Sequence, residues 1–215
     1  MKKIFLLLVC SLGLPSLQAQ QKTIAERLGY PKNTKLLILH ADDVGVSHAV
    51  NAATIAAMEK GCVNSASIMV PCPWFSEIAT YACEHPDIDF GLHITLTSEW
   101  NNYKWGPVTP STMAPTLINK QGFLYSTVDS VKQFAAAAQV EEEIRNQVKR
   151  AIQFGIDPTH LDAHMFAVVR KLDFLKAYIK VGREFKIPVF LAREIERDLN
   201  ITFDTLLTKK EVVAD

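Results

Sequence analysis

The chain has 215 residues, 48% of them hydrophobic, with 23 basic and 23 acidic side chains and no formal net charge. That is about one domain's worth of sequence with ample material for a core, which excludes a disordered chain. No basic stripe points to nucleic acid, and no basic amphipathic helix points to a membrane surface.

Residues 1–20 read as a secretory signal peptide. Lys2 and Lys3 precede an apolar run from Ile4 to Leu14, and Pro15, Ser16 and Ala19 lead into a Gln-rich junction. The run is too short to span a bilayer, so the expectation is an exported protein, periplasmic or secreted, with no membrane insertion after cleavage. Lipidation at Cys10 is disfavoured because Val9 is not small. Residues 21–215 are expected to form one domain. Its three cysteines, Cys62, Cys72 and Cys83, show no CxxC or Cys/His spacing for a thiolate metal site, and small buried thiols are the favoured reading.

Within that domain, Leu36–His40 has strand length. Ser47 caps a helix running through Lys60, and Gly61 ends it. Ser65–Val70 is a second strand, and Pro73 opens a helix to about Glu84. Ile88–Leu96 is a third strand with an extended exit. A long irregular stretch covers Ser98–Thr127, and two helical segments follow with a break near Gln139. In the second of these, Ile144, Val148 and Ile152 repeat every four residues, and Gly155 ends it. Thr159–His164 is a fourth strand, Leu172–Phe185 an amphipathic helix, and Ile187–Leu191 a fifth strand. Alternating strands and helices predict βαβ units around a parallel sheet. Five strands are fewer than a closed (β/α) barrel uses, and Ile201–Asp215 offers no closing strand, so a barrel incomplete at its C-terminus is expected.

Three polar clusters occupy corresponding places. Asp42 and Asp43 follow the first strand, His93 lies late in the third, and His160, Asp162 and His164 run along and past the fourth. Functional groups in parallel α/β folds collect at the carboxyl ends of strands, so these clusters should converge. One carboxylate and two imidazoles make a three-ligand set that leaves positions open for water and substrate. A neighbouring carboxylate is then free to act as a base. Each cluster alone has a structural explanation, such as turn chemistry for Asp-Asp. In an alternating strand, however, His160, Asp162 and His164 share one face, and burying three ionisable groups for structure alone is costly.

The segments Leu36-Leu-Ile-Leu-His-Ala-Asp-Asp-Val-Gly-Val-Ser47, Gly91-Leu-His-Ile-Thr-Leu-Thr97 and Pro158-Thr-His-Leu-Asp-Ala-His164 resemble the YdjC-like (ChbG/HpnK) carbohydrate deacetylases in order and spacing. The resemblance spans about residues 35–195. It implies an irregular (β/α) barrel of the polysaccharide deacetylase type and a divalent cation, Mg2+ before Zn2+. It also implies removal of acetyl groups from N-acetylated, chitooligosaccharide-like sugars. Carried over by position, Asp42 matches the catalytic base, and Asp43, His93 and His164 match the metal ligands. His160 and Asp162 fall in the same motif as supporting or substrate-contacting groups. The chain departs from the family at His40, where Asn is usual, at Met165-Phe166, where further histidines are common, and in lacking a late His-Pro-Gly-like motif.

Trp100, Tyr103 and Trp105 lie in the long irregular stretch. They are candidates for stacking on a sugar or, equally, for anchoring the loop. Two rival functions use the same residues: a metal-dependent phosphoesterase, and a sugar-binding pseudoenzyme. The oligomeric state is left open.

Overall fold

The computed structural model describes residues 22–207. The signal-peptide reading of residues 1–20 and the last eight residues lie outside them. The chain divides after Leu36. The described part of the first unit holds one short helix, α1 (Ile24–Arg27), closed by a capping box. The Thr23 hydroxyl accepts from the Glu26 N–H, and the Glu26 carboxylate accepts from the Thr23 N–H.

The second unit contains a four-stranded parallel sheet of order β1-β2-β3-β4. Its elements are β1 (His40–Val44), α2 (His48–Glu59), β2 (Ser65–Ile68), α3 (Phe75–Glu84), β3 (Phe90–Ile94), α4 (Val128–Phe134), α5 (Ala137–Gln153), β4 (Leu161–Ala163), α6 (Leu172–Phe185) and α7 (Glu194–Leu199). Helices α2 and α6 match their predicted bounds closely. Ser47 caps α2 by accepting from the Val50 N–H, and Gly155 follows α5 at φ 87°.

Strands β2, β3 and β4 are shorter than expected, with His164 past the end of β4, and three further features differ from expectation. The first strand begins at His40, where the apolar run was expected to end. Leu37 and Ile38 are 73% and 71% exposed. The strand instead occupies His40–Val44, whose polar side chains line the inner face of the sheet. The break between α4 and α5 falls at Ala135–Ala136, because the Ala136 N–H donates to Thr116 Oγ1 and Thr116 in turn donates to Gln139 Oε1. The expected fifth strand is reduced to one parallel bridge between Val189 and Leu161. Two backbone hydrogen bonds tie it there, Leu161 N–H to the Pro188 carbonyl and Phe190 N–H to the Leu161 carbonyl. Among the described residues, Cys72 is buried while Cys62 and Cys83 are exposed, and all three are free thiols.

The two faces of the sheet differ sharply. Ala66, Ile68, Phe90, Leu92, Ile94 and Leu161 alternate onto the buried outer face and join the core built with the helices. Tyr178 of α6, fully buried, donates its hydroxyl to the Leu161 carbonyl at 2.6 Å and fixes β4 in depth. The inner face carries His40, Ser65, Ser67, Gly91, His93 and Asp162. Barrel interiors are ordinarily filled by branched apolar side chains, so this polar face marks where chemistry is placed. No helix among the described residues is long and apolar enough to cross a membrane.

Candidate metal centre

Asp43, His93 and His164 converge at the carboxyl ends of β1, β3 and β4, with one ligand atom from each within 4.8 Å of the others. Two irregularities aim them. In β1, Ala41 pairs with Ala66 but Val44 pairs with Ile68, so three residues advance against two. The extra residue is a bulge, and Asp43 takes it up at φ 60°. That turn breaks the alternation that would have held Asp42 and Asp43 on opposite faces. Gly45 follows at φ 97°, where a side chain would also press on the Met69 carbonyl. Past β4, Met165 and Phe166 both adopt left-handed backbone at φ 52° and 54°. Such conformations cost on the order of 1–3 kcal/mol each in non-glycine residues and cluster at functional sites.

Each imidazole is gripped from behind by a carboxylate. His93 Nδ1 lies 2.6 Å from Asp162 Oδ1. His164 Nε2 lies 3.1 and 3.2 Å from the two oxygens of Glu99. Those protons leave the other ring nitrogens, His93 Nε2 and His164 Nδ1, facing Asp43 Oδ1 at 3.3 and 2.9 Å. With neutral rings, Asp43 Oδ1 is a buried oxygen receiving no hydrogen bond and opposed by two lone pairs. Only a positive charge resolves that arrangement. Protons do so when no ion is bound. Burial opposes charging His93, yet the Asp162 and Asp43 carboxylates outweigh it and push its pKa up to about 9. Burial likewise opposes charging His164, whose pKa is nevertheless raised by Asp43 and Glu99. Hydrogen bonds from His164 and then His93 hold Asp43 well below the usual carboxylate range. A divalent ion fits the same place, because imidazoles backed by carboxylates are the usual supports of metal-ligating histidine.

The remaining candidates fall as follows. Asp42, next to Asp43 in the chain, is exposed, and its side chain forms no hydrogen bond among the described residues. Asp162 also accepts from Ser67 Oγ at 2.8 Å, and His160 lies one tier lower, beside His40. Trp105 is 3% exposed and spends its indole N–H on the Thr97 carbonyl, the geometry of an anchor. Trp100 is 45% exposed. Glu99 escaped the sequence reading. It lies in the irregular exit from β3, where no periodicity marks a residue, and its only signal is a carboxylate beside Trp100. A second buried feature, Glu143 with Gln147 on α5, was also missed. Glu143 accepts from the Val108 and Thr109 N–H groups, while Gln147 pairs with both backbone groups of Thr95. Together they hold the long loop and the exit of β3.

The profile of the YdjC-like protein family matches residues 36–214. The chain belongs to the YdjC-like family. A carbohydrate deacetylase from Thermus thermophilus is 31% identical over 173 residues, which cover 80% of this chain and 59% of that protein. One from Thermoanaerobacter pseudethanolicus is 29% identical over 155 residues, covering 72% and 59% respectively. The chain thus spans less than two thirds of the length of these relatives. A crystal structure from Enterococcus faecalis V583, named for a proposed role in cellobiose-phosphate cleavage, superposes with TM-score 0.69 at 24% identity. It covers 81% of this chain and 66% of that one. That likeness places the parallel sheet in the same fold as this YdjC-like chain.

Proposed function

We propose that this YdjC-like chain is a carbohydrate deacetylase whose hydrolysis of the acetamide depends on a divalent ion held by Asp43, His93 and His164. The observation that carries the reading is the convergence of two carboxylate-backed imidazoles on the buried oxygen of Asp43. The carbohydrate deacetylases among its relatives supply the reaction class. A bound ion supplies Lewis-acid polarisation of the amide carbonyl and acidifies water. Asp42, exposed and unengaged, takes the proton of the attacking water. Asp162 and Glu99 keep the two imidazoles in the tautomers that ligation requires. Trp100 offers an exposed aromatic face to a sugar ring at the rim. N-acetylated oligosaccharides are the proposed substrates, and Mg2+ is the proposed ion, with Zn2+ compatible with the same donors.

Acetate release from a panel of N-acetylated oligosaccharides, with and without added divalent ions, tests this reading. Metal-dependent acetate supports it. Phosphate release from sugar phosphates without acetate points to a phosphoesterase, and sugar binding without turnover to a pseudoenzyme. We further propose export, from Lys2, Lys3 and the apolar run behind them. A chain from the native host that retains Met1 would overturn that localisation.

A further inference from the structure

One tier below the cluster just described, the inner face of the sheet carries a second set of donors. His40 of β1, His160 just before β4 and Asp162 of β4 each offer one ligand atom, and these lie within 4.8 Å of one another. The hydrogen bonds behind them determine which nitrogens face inward. The Thr159 hydroxyl has one proton and donates it to the Asp89 carboxylate. Its oxygen can therefore only accept from His160 Nδ1, 2.9 Å away. His160 Nε2 is left as a bare lone pair with no donor among the described residues. On β1, His40 Nδ1 has Ser65 Oγ at 2.9 Å, and its Nε2 faces Asp162 Oδ2 at 3.2 Å. The Ser67 hydroxyl lies 3.0 Å from the same nitrogen and donates to the same carboxylate oxygen at 2.8 Å, so with no ion bound Nε2 carries a proton, and an ion takes its place as the ring proton shifts to Nδ1 against Ser65 Oγ. The two rings meet edge to face, with centroids 5.3 Å apart. Gly91 of β3 makes this possible, because a Cβ there would collide with His160 Nε2.

We propose that His40, His160 and Asp162 form a second divalent-cation site, suited to a borderline ion such as Zn2+. Two imidazoles and one carboxylate are zinc donors, and a water completes the tetrahedron. Ser65 behind His40 and Thr159 behind His160 play the supporting part that Asp162 and Glu99 play above. The site lies between β1 and β4, the outermost strands of the four, so an ion there cross-braces the polar face. Asp162 belongs to both tiers, with Oδ1 on His93 and Oδ2 facing the lower donors. Occupancy below therefore couples to affinity above. The lower site does not depend on the deacetylase reading, because its nitrogen donors are its own.

The test is calorimetric titration of Zn2+ into the chelator-stripped full chain carrying Asp43→Asn and His164→Ala, which remove the upper donors. One equivalent should still bind. Adding His40→Asn, or separately His160→Gln, should abolish that equivalent, with circular dichroism verifying each fold. If His40→Asn unfolds the chain, His160→Gln decides, since His160 lies in the segment before β4 and not within a strand. No Zn2+ bound by the double variant, or binding unchanged by both added substitutions, would overturn the proposal. If the upper reading alone is wrong, wild type and double variant bind the same single equivalent, still sensitive to His40→Asn.

Discussion

Replacing Glu99 by Gln tests how the upper site is held together. Both Glu99 oxygens lie within 3.2 Å of His164 Nε2 and fix that nitrogen as the protonated one. The Gln amide is nearly isosteric but uncharged, and it can offer its own N–H to the same nitrogen. The proton then moves to His164 Nδ1, the atom that faces Asp43 at 2.9 Å, and the lone pair needed for an ion is lost. Loss of such a supporting partner typically weakens metal affinity by about 10–100-fold, or about 1.4–2.7 kcal/mol. Binding should weaken rather than vanish, because His93 keeps its own support from Asp162. Calorimetric titration of Mg2+ and Zn2+ into wild type and Glu99→Gln, with ¹⁵N shifts of the His164 ring to report the tautomer, reads both effects. Wild-type affinity with an unmoved tautomer would show that Glu99 does not position His164.

Three further outcomes follow from the same geometry. Asp42→Asn should retain the ion and lose activity by about 100-fold or more, whereas His164→Ala should lose both; loss of the ion in Asp42→Asn would mean the two aspartates have exchanged roles. In chelator, His93 contributes stability that is complete below its ordinary value of 6.5 and is lost as pH rises through about 9, so urea unfolding should register a loss of about 3 kcal/mol between those values; a flat profile would refute the paired-imidazolium account, and ion affinity should show the opposite trend as protons cease to compete. Glu143→Ala strands the Val108 and Thr109 N–H groups and should cost about 2–4 kcal/mol, read from the urea midpoint; a loss below about 1 kcal/mol would mean that water replaces the carboxylate.

The parts of this fold that follow from periodicity and caps were legible in the sequence. Helix α6 shows a clean apolar stripe, and Ser47 announces α2. The convergence of Asp43, His93 and His164 was legible because parallel sheets gather strand ends. The first strand was misplaced for a physical reason. Hydrophobic-run rules favour Leu36–Leu39, but β1 is polar on its inner side, where His40 bonds to Ser65 and Asp162. The β1 bulge at Asp43, the Glu99 support and the helix break at Ala135–Ala136 all depend on contacts between segments far apart in the chain. Local pattern carries no trace of Thr116 reaching α5 or of Glu99 reaching His164.

The central claim is that an ion between Asp43, His93 and His164 is what makes the site hydrolytic. Its most direct measurement is acetate release from an N-acetylated chitooligosaccharide by the chelator-stripped full chain, followed as Mg2+ or Zn2+ is added back. Acetate should be absent from the stripped chain, should appear as the ion is restored, and should stay absent in His93→Ala at every ion concentration. Acetate release that ignores the chelator, or that survives His93→Ala, would contradict the account.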